Sequence, residues 1–161
     1  MKNIFLLLGI VALATGIVSC GAKKSTVVDG ESVAKNELLN AGKDVAGKYW
    51  KLVEIFGNTS ITNPKEAYIT FSVTDNKVFG NNGCNSFHGT YEIGADNKLK
   101  FSGIASTRMF CMNTSTESEM SKTFSSTDNY EVSADTLFLK EGEKIIARFV
   151  LSSAPAADAT K

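Results

Sequence analysis

The sequence lacks an excess of charge of either sign and contains a single histidine. Its 17 Lys and Arg residues balance 17 Asp and Glu residues, so the formal net charge is +0. Nucleic-acid binding requires a basic patch, and the pair Lys23-Lys24 is too short to form one. Structural zinc sites commonly use closely spaced Cys or His pairs, and the sequence has none. We therefore predict no nucleic-acid partner, no metal site and no cofactor.

Long apolar runs are equally scarce, and the one that exists lies at the amino end. Residues 4–18 are uncharged and mostly apolar, follow Lys2 and give way to small residues. This run is shorter than the roughly 20 residues that a permanent transmembrane helix needs. It is typical of an export signal.

Cys20 stands where cleavage of that signal is expected. The segment Ile17-Val18-Ser19-Cys20-Gly21 resembles the lipobox of bacterial lipoproteins. The resemblance implies a signal peptide over residues 1–19, a lipid attached to Cys20 and a membrane as partner, with the protein in the cell envelope on the periplasmic or extracellular face. The alternative is an ordinary secretory signal with a coincidental cysteine.

Two cysteines, Cys84 and Cys111, remain when Cys20 is assigned to lipid. In an oxidising compartment two otherwise unexplained thiols most often form a disulfide. Closing this loop would stabilise the fold by roughly 3 to 4 kcal/mol.

Two other interpretations of Cys84 depend on the sole histidine, His88. A thiol nucleophile needs an adjacent base, but residues i and i+4 of an extended strand lie about 13 Å apart. A zinc site would need Cys84, His88, Cys111 and a fourth ligand at a spacing that zinc sites seldom show. The crosslink is therefore favoured, catalysis is not predicted, and His88 is expected to be a solvated strand residue.

The mature chain has the size of one domain. We expect a flexible tether over residues 20–46, a folded domain over 47–152 and a disordered tail over 153–161. Short runs rich in aromatic and β-branched residues, separated by Gly, Asn and Asp, predict β-strands. In the last run we expect Ile145, Ala147, Phe149 and Leu151 to share one face.

One segment breaks the strand pattern before the last strands. Thr114 and Glu117 have the spacing of a capping box, and Met120 and Phe124 follow four residues apart. The pattern predicts a helix of about three turns that covers one open side or end of the sheet. The helix macrodipole already accounts for Glu117 at the helix start.

The chain resembles the META domain, the HslJ-like family of small bacterial envelope proteins. The resemblance is carried by "WKLVEIFG" (Trp50–Gly57), "GCNSFHGTY" (Gly83–Tyr91) and "STRMFC" (Ser106–Cys111), and then by the helix, "LFLKE" and "ARFVL". The family motif carries over as structural residues onto Trp50, Gly83, Asn85, Phe87, Gly89, Tyr91, Thr107 and Met109. Phe110 departs from the family, in which alanine is common at this place.

The resemblance implies an α+β fold that is mainly antiparallel β, a partly open (cracked) barrel with one inserted helix, in which Cys84 and Cys111 face each other. Members are linked to heat shock, antibiotic tolerance, virulence or secretion, and no catalytic mechanism is established for the family. We therefore expect a non-enzymatic binding or accessory module in stress or antibiotic tolerance and envelope maintenance. Its expected partner is an envelope protein or a hydrophobic ligand. The alternative is an inhibitor-like domain that presents Gly80–Asn85 to an envelope hydrolase.

Overall fold

The computed structural model describes residues 42, 44–112 and 115–154, so the predicted signal peptide, Cys20 and most of the tether and tail lie outside the described residues. Eight strands form one antiparallel sheet. In chain order the strands are β1 (Tyr49–Ile55), β2 (Ala67–Phe71), β3 (Lys77–Asn82), β4 (Ser86–Ile93), β5 (Leu99–Ser106), β6 (Asn129–Ser133), β7 (Thr136–Glu141) and β8 (Lys144–Ser152). A helix, α1 (Ser115–Ser126), connects β5 to β6.

The sheet curls until its two edge strands meet at one point. Its strand order is β5-β4-β3-β2-β1-β8-β7-β6, so β5 and β6 are the edges. A single bridge between Lys98 and Asn129 joins them, and the backbone N–H of Leu99 donates to the carbonyl of Asp128 at 3.1 Å. The prediction of a mainly antiparallel, partly open barrel with one helix is confirmed.

The concave face of the sheet and one side of α1 enclose the core. Its largest fully buried side chains include Trp50, Phe71 and Phe149. The indole N–H of Trp50 donates to the carbonyl of Val45 at 2.9 Å, which satisfies the polar atom of a fully buried ring. Val45 is itself fully buried, so packing of the domain begins before Gly47.

Helix α1 packs as its apolar spacing predicts, since Met120 and Phe124 are both buried. The ring of Phe124 lies 4.8 Å from that of Phe87 and 5.1 Å from that of Phe101, measured between centroids. The helix also contacts β1, β3 and β7, so it covers one end of the barrel. The proposed cap residue Thr114 lies outside the described residues. No helix in the described ranges is long and apolar enough to cross a membrane.

The predicted face of β8 is wrong at its first and last positions. Ile146, Ala147 and Phe149 are buried, whereas Ile145 and Leu151 are 44% and 40% exposed. A register shift between Leu139 and Lys140 of β7, where it pairs with β8, turns Ile145 outward and Ile146 inward.

Candidate functional site

Three neighbouring asparagines shape the turn between β3 and β4, which we call the asparagine turn (residues 81–85). Oδ1 of Asn81 accepts from the N–H of Gly83 at 2.9 Å. Oδ1 of Asn82 accepts from the N–H groups of Cys84 and Asn85 at 3.2 and 2.7 Å. In tight turns, asparagine side chains commonly accept hydrogen bonds from backbone N–H groups two or three residues further along the chain. Gly83 provides the positive φ of 97° that the turn requires.

Asn85 reaches across to the segment that follows β5. Its Oδ1 accepts from the Oγ1–H of Thr107 and from the N–H of Met109, both at 2.7 Å. Its Nδ2 donates to the carbonyl of Met109 at 3.3 Å and to Oε1 of Glu117 at 3.0 Å. Asn85 therefore joins the turn, the β5–α1 connection and the helix.

A disulfide between Cys84 and Cys111 crosslinks the same elements, as the sequence predicted. The two Cα atoms are 6.2 Å apart and the cysteines are 27 residues apart along the chain. Cys84 is buried and Cys111 half-buried. We call residues 107–112, which Asn85 and the disulfide hold to the barrel, the stapled loop.

Glu117 is a contributor that sequence reasoning missed. It lies in the first turn of α1, and its Oε1 accepts from Nδ2 of Asn85 at 3.0 Å and from Nδ2 of Asn82 at 3.4 Å. The macrodipole favours a carboxylate at this position in any helix, so the pattern alone could not reveal a partner 32 residues away. The run of asparagines beside Cys84 was the available signal, because buried amides need partners.

The outer side of the stapled loop exposes apolar side chains. Met109 is 53%, Phe110 93% and Met112 97% exposed, and Arg108 is also exposed. Nζ of Lys65 lies 3.7 Å from Sδ of Met109, which adds a second cation to this surface. Monomeric proteins seldom expose clustered large apolar side chains unless these contact something.

The structure divides the motif residues into two groups. Trp50, Phe87 and Tyr91 belong to the core, and Gly89 lies between the last two on the inner face of β4, where a Cβ would be 2.5 Å from Cδ1 of Ile104. The second group surrounds the disulfide and comprises Gly83, Asn85, Thr107 and Met109.

His88 belongs to neither group, because it lies exposed on the outer face of β4 opposite Phe79 of β3. Cys84 and His88 are therefore not brought together as nucleophile and base. Within the described ranges, no three His, Cys, Asp or Glu side chains are placed to hold a metal ion.

The segment Gly80–Asn85, which the inhibitor alternative would present to a hydrolase, is buried at all six positions. Hydrogen bonds inside the turn and the packing of the loop before β2 cover it; for example, the N–H of Lys65 donates to the carbonyl of Gly83 at 3.1 Å. Of the two segments that the disulfide joins, the asparagine turn is buried and the stapled loop is exposed.

The family model of the META domain matches residues 43–153, and the chain belongs to this family. An NMR structure of a protein from Burkholderia xenovorans is 22% identical, with a TM-score of 0.54 over 68% of this chain and 85% of that chain. A second NMR structure is 21% identical, with a TM-score of 0.54 over 66% of this chain and 91% of that chain. These two similarities show the fold alone.

A crystal structure of a DUF4847 family protein from Bacteroides vulgatus is 18% identical, with a TM-score of 0.48 over 68% of this chain and 95% of that chain. No curated protein is significantly similar to this chain.

Proposed function

We propose that this META domain protein is a lipid-anchored, non-enzymatic binding or accessory module of the bacterial cell envelope, acting in stress or antibiotic tolerance and envelope maintenance. The observation that carries the proposal is the stapled loop, whose backbone is held by a disulfide and by Asn85 while Phe110 and Met112 face solvent. A rigid loop suits binding because little conformational freedom remains to be lost when a partner docks.

The anchor rests on the lipobox-like segment that ends at Cys20. Cells that make the full-length protein would be fed an alkyne fatty acid, and we expect label on the wild type and none on Cys20→Ala. The matched control is Cys84→Ala/Cys111→Ala, which keeps Cys20 and should keep the label. Label that persists without Cys20, or is absent from the wild type, contradicts the anchor.

The non-enzymatic assignment is supported by the state of the two thiols. A cysteine nucleophile acts as a thiolate. Cys84 has no thiol to ionise while it is bonded to Cys111. Thiol titration of the denatured, unreduced exported protein should find no reactive thiol at these two positions. Two free thiols would instead favour a redox or hydrolytic enzyme.

The role in tolerance can be tested in a strain that lacks the protein. We expect the wild-type gene to restore growth under antibiotic or heat stress, and Phe110→Ala/Met112→Ala to restore it less well at equal protein level. Val73→Ala, which shortens an exposed apolar side chain between β2 and β3, is the matched control. Equal rescue by both variants would mean that the exposed side chains of the stapled loop are not needed for tolerance.

A further inference from the structure

The stapled loop has the composition of the centre of a protein–protein interface. Aromatic residues, Met and Arg are enriched in such centres. Apart from Cys111, all residues from 108 to 112 are of these types: Arg108, Met109, Phe110 and Met112. Phe110 and Met112 are almost fully exposed, so nothing in the described part of the chain covers them. Methionine adapts its shape to irregular apolar pockets.

Two cations lie beside these side chains. Arg108 and Lys65 are absent from the four ion pairs of the described residues, which use Lys51, Lys77, Lys140 and Arg148. The carboxylate of Glu117 accepts hydrogen bonds from Asn85 and Asn82 and forms no ion pair with either cation among the described residues. The surface therefore combines an apolar tip with unpaired cations, and its electrostatic complement is an apolar pocket with an acidic rim.

The stapled loop lies at the far end of β4 from the place where the chain enters the domain. Gly42 lies against Ile93, where an added Cβ would be 2.9 Å from its Cδ1. At the other end of the strand, the carbonyl of Ser86 accepts from the N–H of Thr107 at 3.0 Å. Strand β4, Ser86–Ile93, separates these points by about 23 Å, at roughly 3.3 Å per residue.

From these observations we infer that the stapled loop docks into an apolar pocket with an acidic rim on a second envelope protein. Phe110 and Met112 enter the pocket, and Arg108 and Lys65 face the rim. The inference rests on the proposed anchored binding module, because the chain enters the domain at Gly42, at the end of β4 opposite the stapled loop. A protein is thus favoured over the lipid surface to which the chain is attached.

The test uses the full-length protein in intact cells with the photo-crosslinking amino acid benzoylphenylalanine at single positions. Positions 110 and 112 are the probes, and position 73, which is 72% exposed, is the control. Position 73 lies next to the chain entry, because a Cβ on Gly47 would be 2.8 Å from Cγ1 of Val73. We expect positions 110 and 112 to give the same protein adduct and position 73 to give none of it.

A charge reversal tests the acidic rim. Arg108→Glu should lower the yield of the adduct from position 112 at least fivefold, because it places like charges together. Lys100→Glu, on the exposed side of β5 near the chain entry, is the matched control and should leave the yield unchanged. Equal yields from the two variants would overturn the inference.

Other adducts would also overturn it. A lipid adduct from positions 110 and 112 would identify a membrane surface, and an adduct with twice the mass of this chain would identify a second copy. No adduct at either position, or equal adducts from position 73, would remove the stapled loop as the docking site. Repeating the crosslinking experiment in Cys20→Ala separates the two proposals. If the wild type takes up no fatty-acid label and the adduct still forms in Cys20→Ala, the anchor is contradicted and the docking site is not.

Discussion

Nδ2 of Asn85 donates a hydrogen bond to Oε1 of Glu117 at 3.0 Å, which links the asparagine turn to the first turn of α1. On its other side, Oδ1 of Asn85 accepts from Thr107 and from the backbone of Met109. One buried amide therefore fixes three segments that are remote in sequence. Buried amides of this kind stabilise only when all their partners are present.

Replacing Asn85 tests this connection. Asn85→Ala removes the acceptor of the Met109 N–H and of the Thr107 hydroxyl and leaves Glu117 with only the 3.4 Å bond from Asn82. An unsatisfied buried group costs about 1 to 3 kcal/mol. We expect the free energy of unfolding in urea to fall by about 2 to 4 kcal/mol. Asn76→Ala, at an exposed position between β2 and β3, should change it by less than about 0.5 kcal/mol. Equal losses would mean that the network contributes nothing.

The disulfide makes a separate contribution. In the Cys20→Ala chain, Cys84→Ala/Cys111→Ala should lower the urea midpoint and the free energy of unfolding by roughly 3 to 4 kcal/mol, because the unfolded chain loses the constraint on a loop of 27 residues. Dithiothreitol added to the parent should produce the same loss. A reduced parent that remains as stable as the oxidised one would contradict this account.

Gly83 is constrained by its backbone angle and by a neighbour. Its φ is +97°, and an added Cβ would lie 2.6 Å from the side-chain amide of Asn63. We expect Gly83→Ala to cost about 2 to 3 kcal/mol, as the sum of backbone strain and contact. Gly103→Ala is the matched control, since Gly103 has a φ of +60° and no atom within 4 Å of the added Cβ.

The control should cost only the backbone part, about 1 kcal/mol. Adding Asn63→Ala should recover part of the loss in Gly83→Ala and none of that in Gly103→Ala. Equal costs for the two glycine variants would exclude the contact with Asn63.

The features predicted from sequence are those that a local pattern encodes. Four-residue spacing placed Met120 and Phe124 on the buried side of α1. Alternation of Ile69, Phe71 and Val73 predicted one shared face, on which Ile69 and Phe71 are buried, whereas Val73 lies beyond the end of β2 and is 72% exposed. The pairing of Cys84 with Cys111 followed from counting the cysteines of an exported chain.

The features that were missed depend on contacts between segments remote in sequence. The bond from Asn85 to Glu117 spans 32 residues, and no periodicity records it. No pattern in the sequence predicted the exposure of Phe110, because this exposure depends on how the disulfide and Asn85 hold the loop with its apolar side chains outward. The face of β8 was wrong because β8 carries an extra residue, Ile146, between its pairs with Leu139 and Lys140 of β7, which strict alternation does not anticipate.

Two adjacent isoleucines test that irregularity directly. Ile146 is 1% and Ile145 44% exposed, although strict alternation predicted the reverse. Ile146→Ala should cost about 2 to 5 kcal/mol, because it opens a cavity in the core. Ile145→Ala should cost well under half as much, since this side chain is already partly solvated. Urea unfolding of the two variants decides whether Ile146 or Ile145 faces the core. A larger loss of unfolding free energy in Ile145→Ala would favour the unshifted register.

Alkaline pH should weaken the fold through Tyr130. Burial and the nearby charge of Asp44 raise the pKa of Tyr130 to about 12, and its hydroxyl donates to Oδ1 of Asp44 at 3.2 Å. The ordinary tyrosine pKa is about 10, so between about pH 10 and pH 12 the unfolded chain loses a proton that the folded chain keeps. The stabilisation is therefore complete below about pH 10 and is lost as the pH rises toward 12.

The comparison with Tyr130→Phe isolates this contribution. The variant lacks the hydrogen bond to Asp44 and should be less stable by a constant amount between pH 7 and pH 9. Above pH 10 its free energy of unfolding should fall less steeply than that of the wild type, because one titrating group has been removed. Urea unfolding at each pH measures both slopes. Because burial also raises the pKa of Tyr91, the variant retains some alkaline dependence, and only identical slopes would contradict the role of Tyr130.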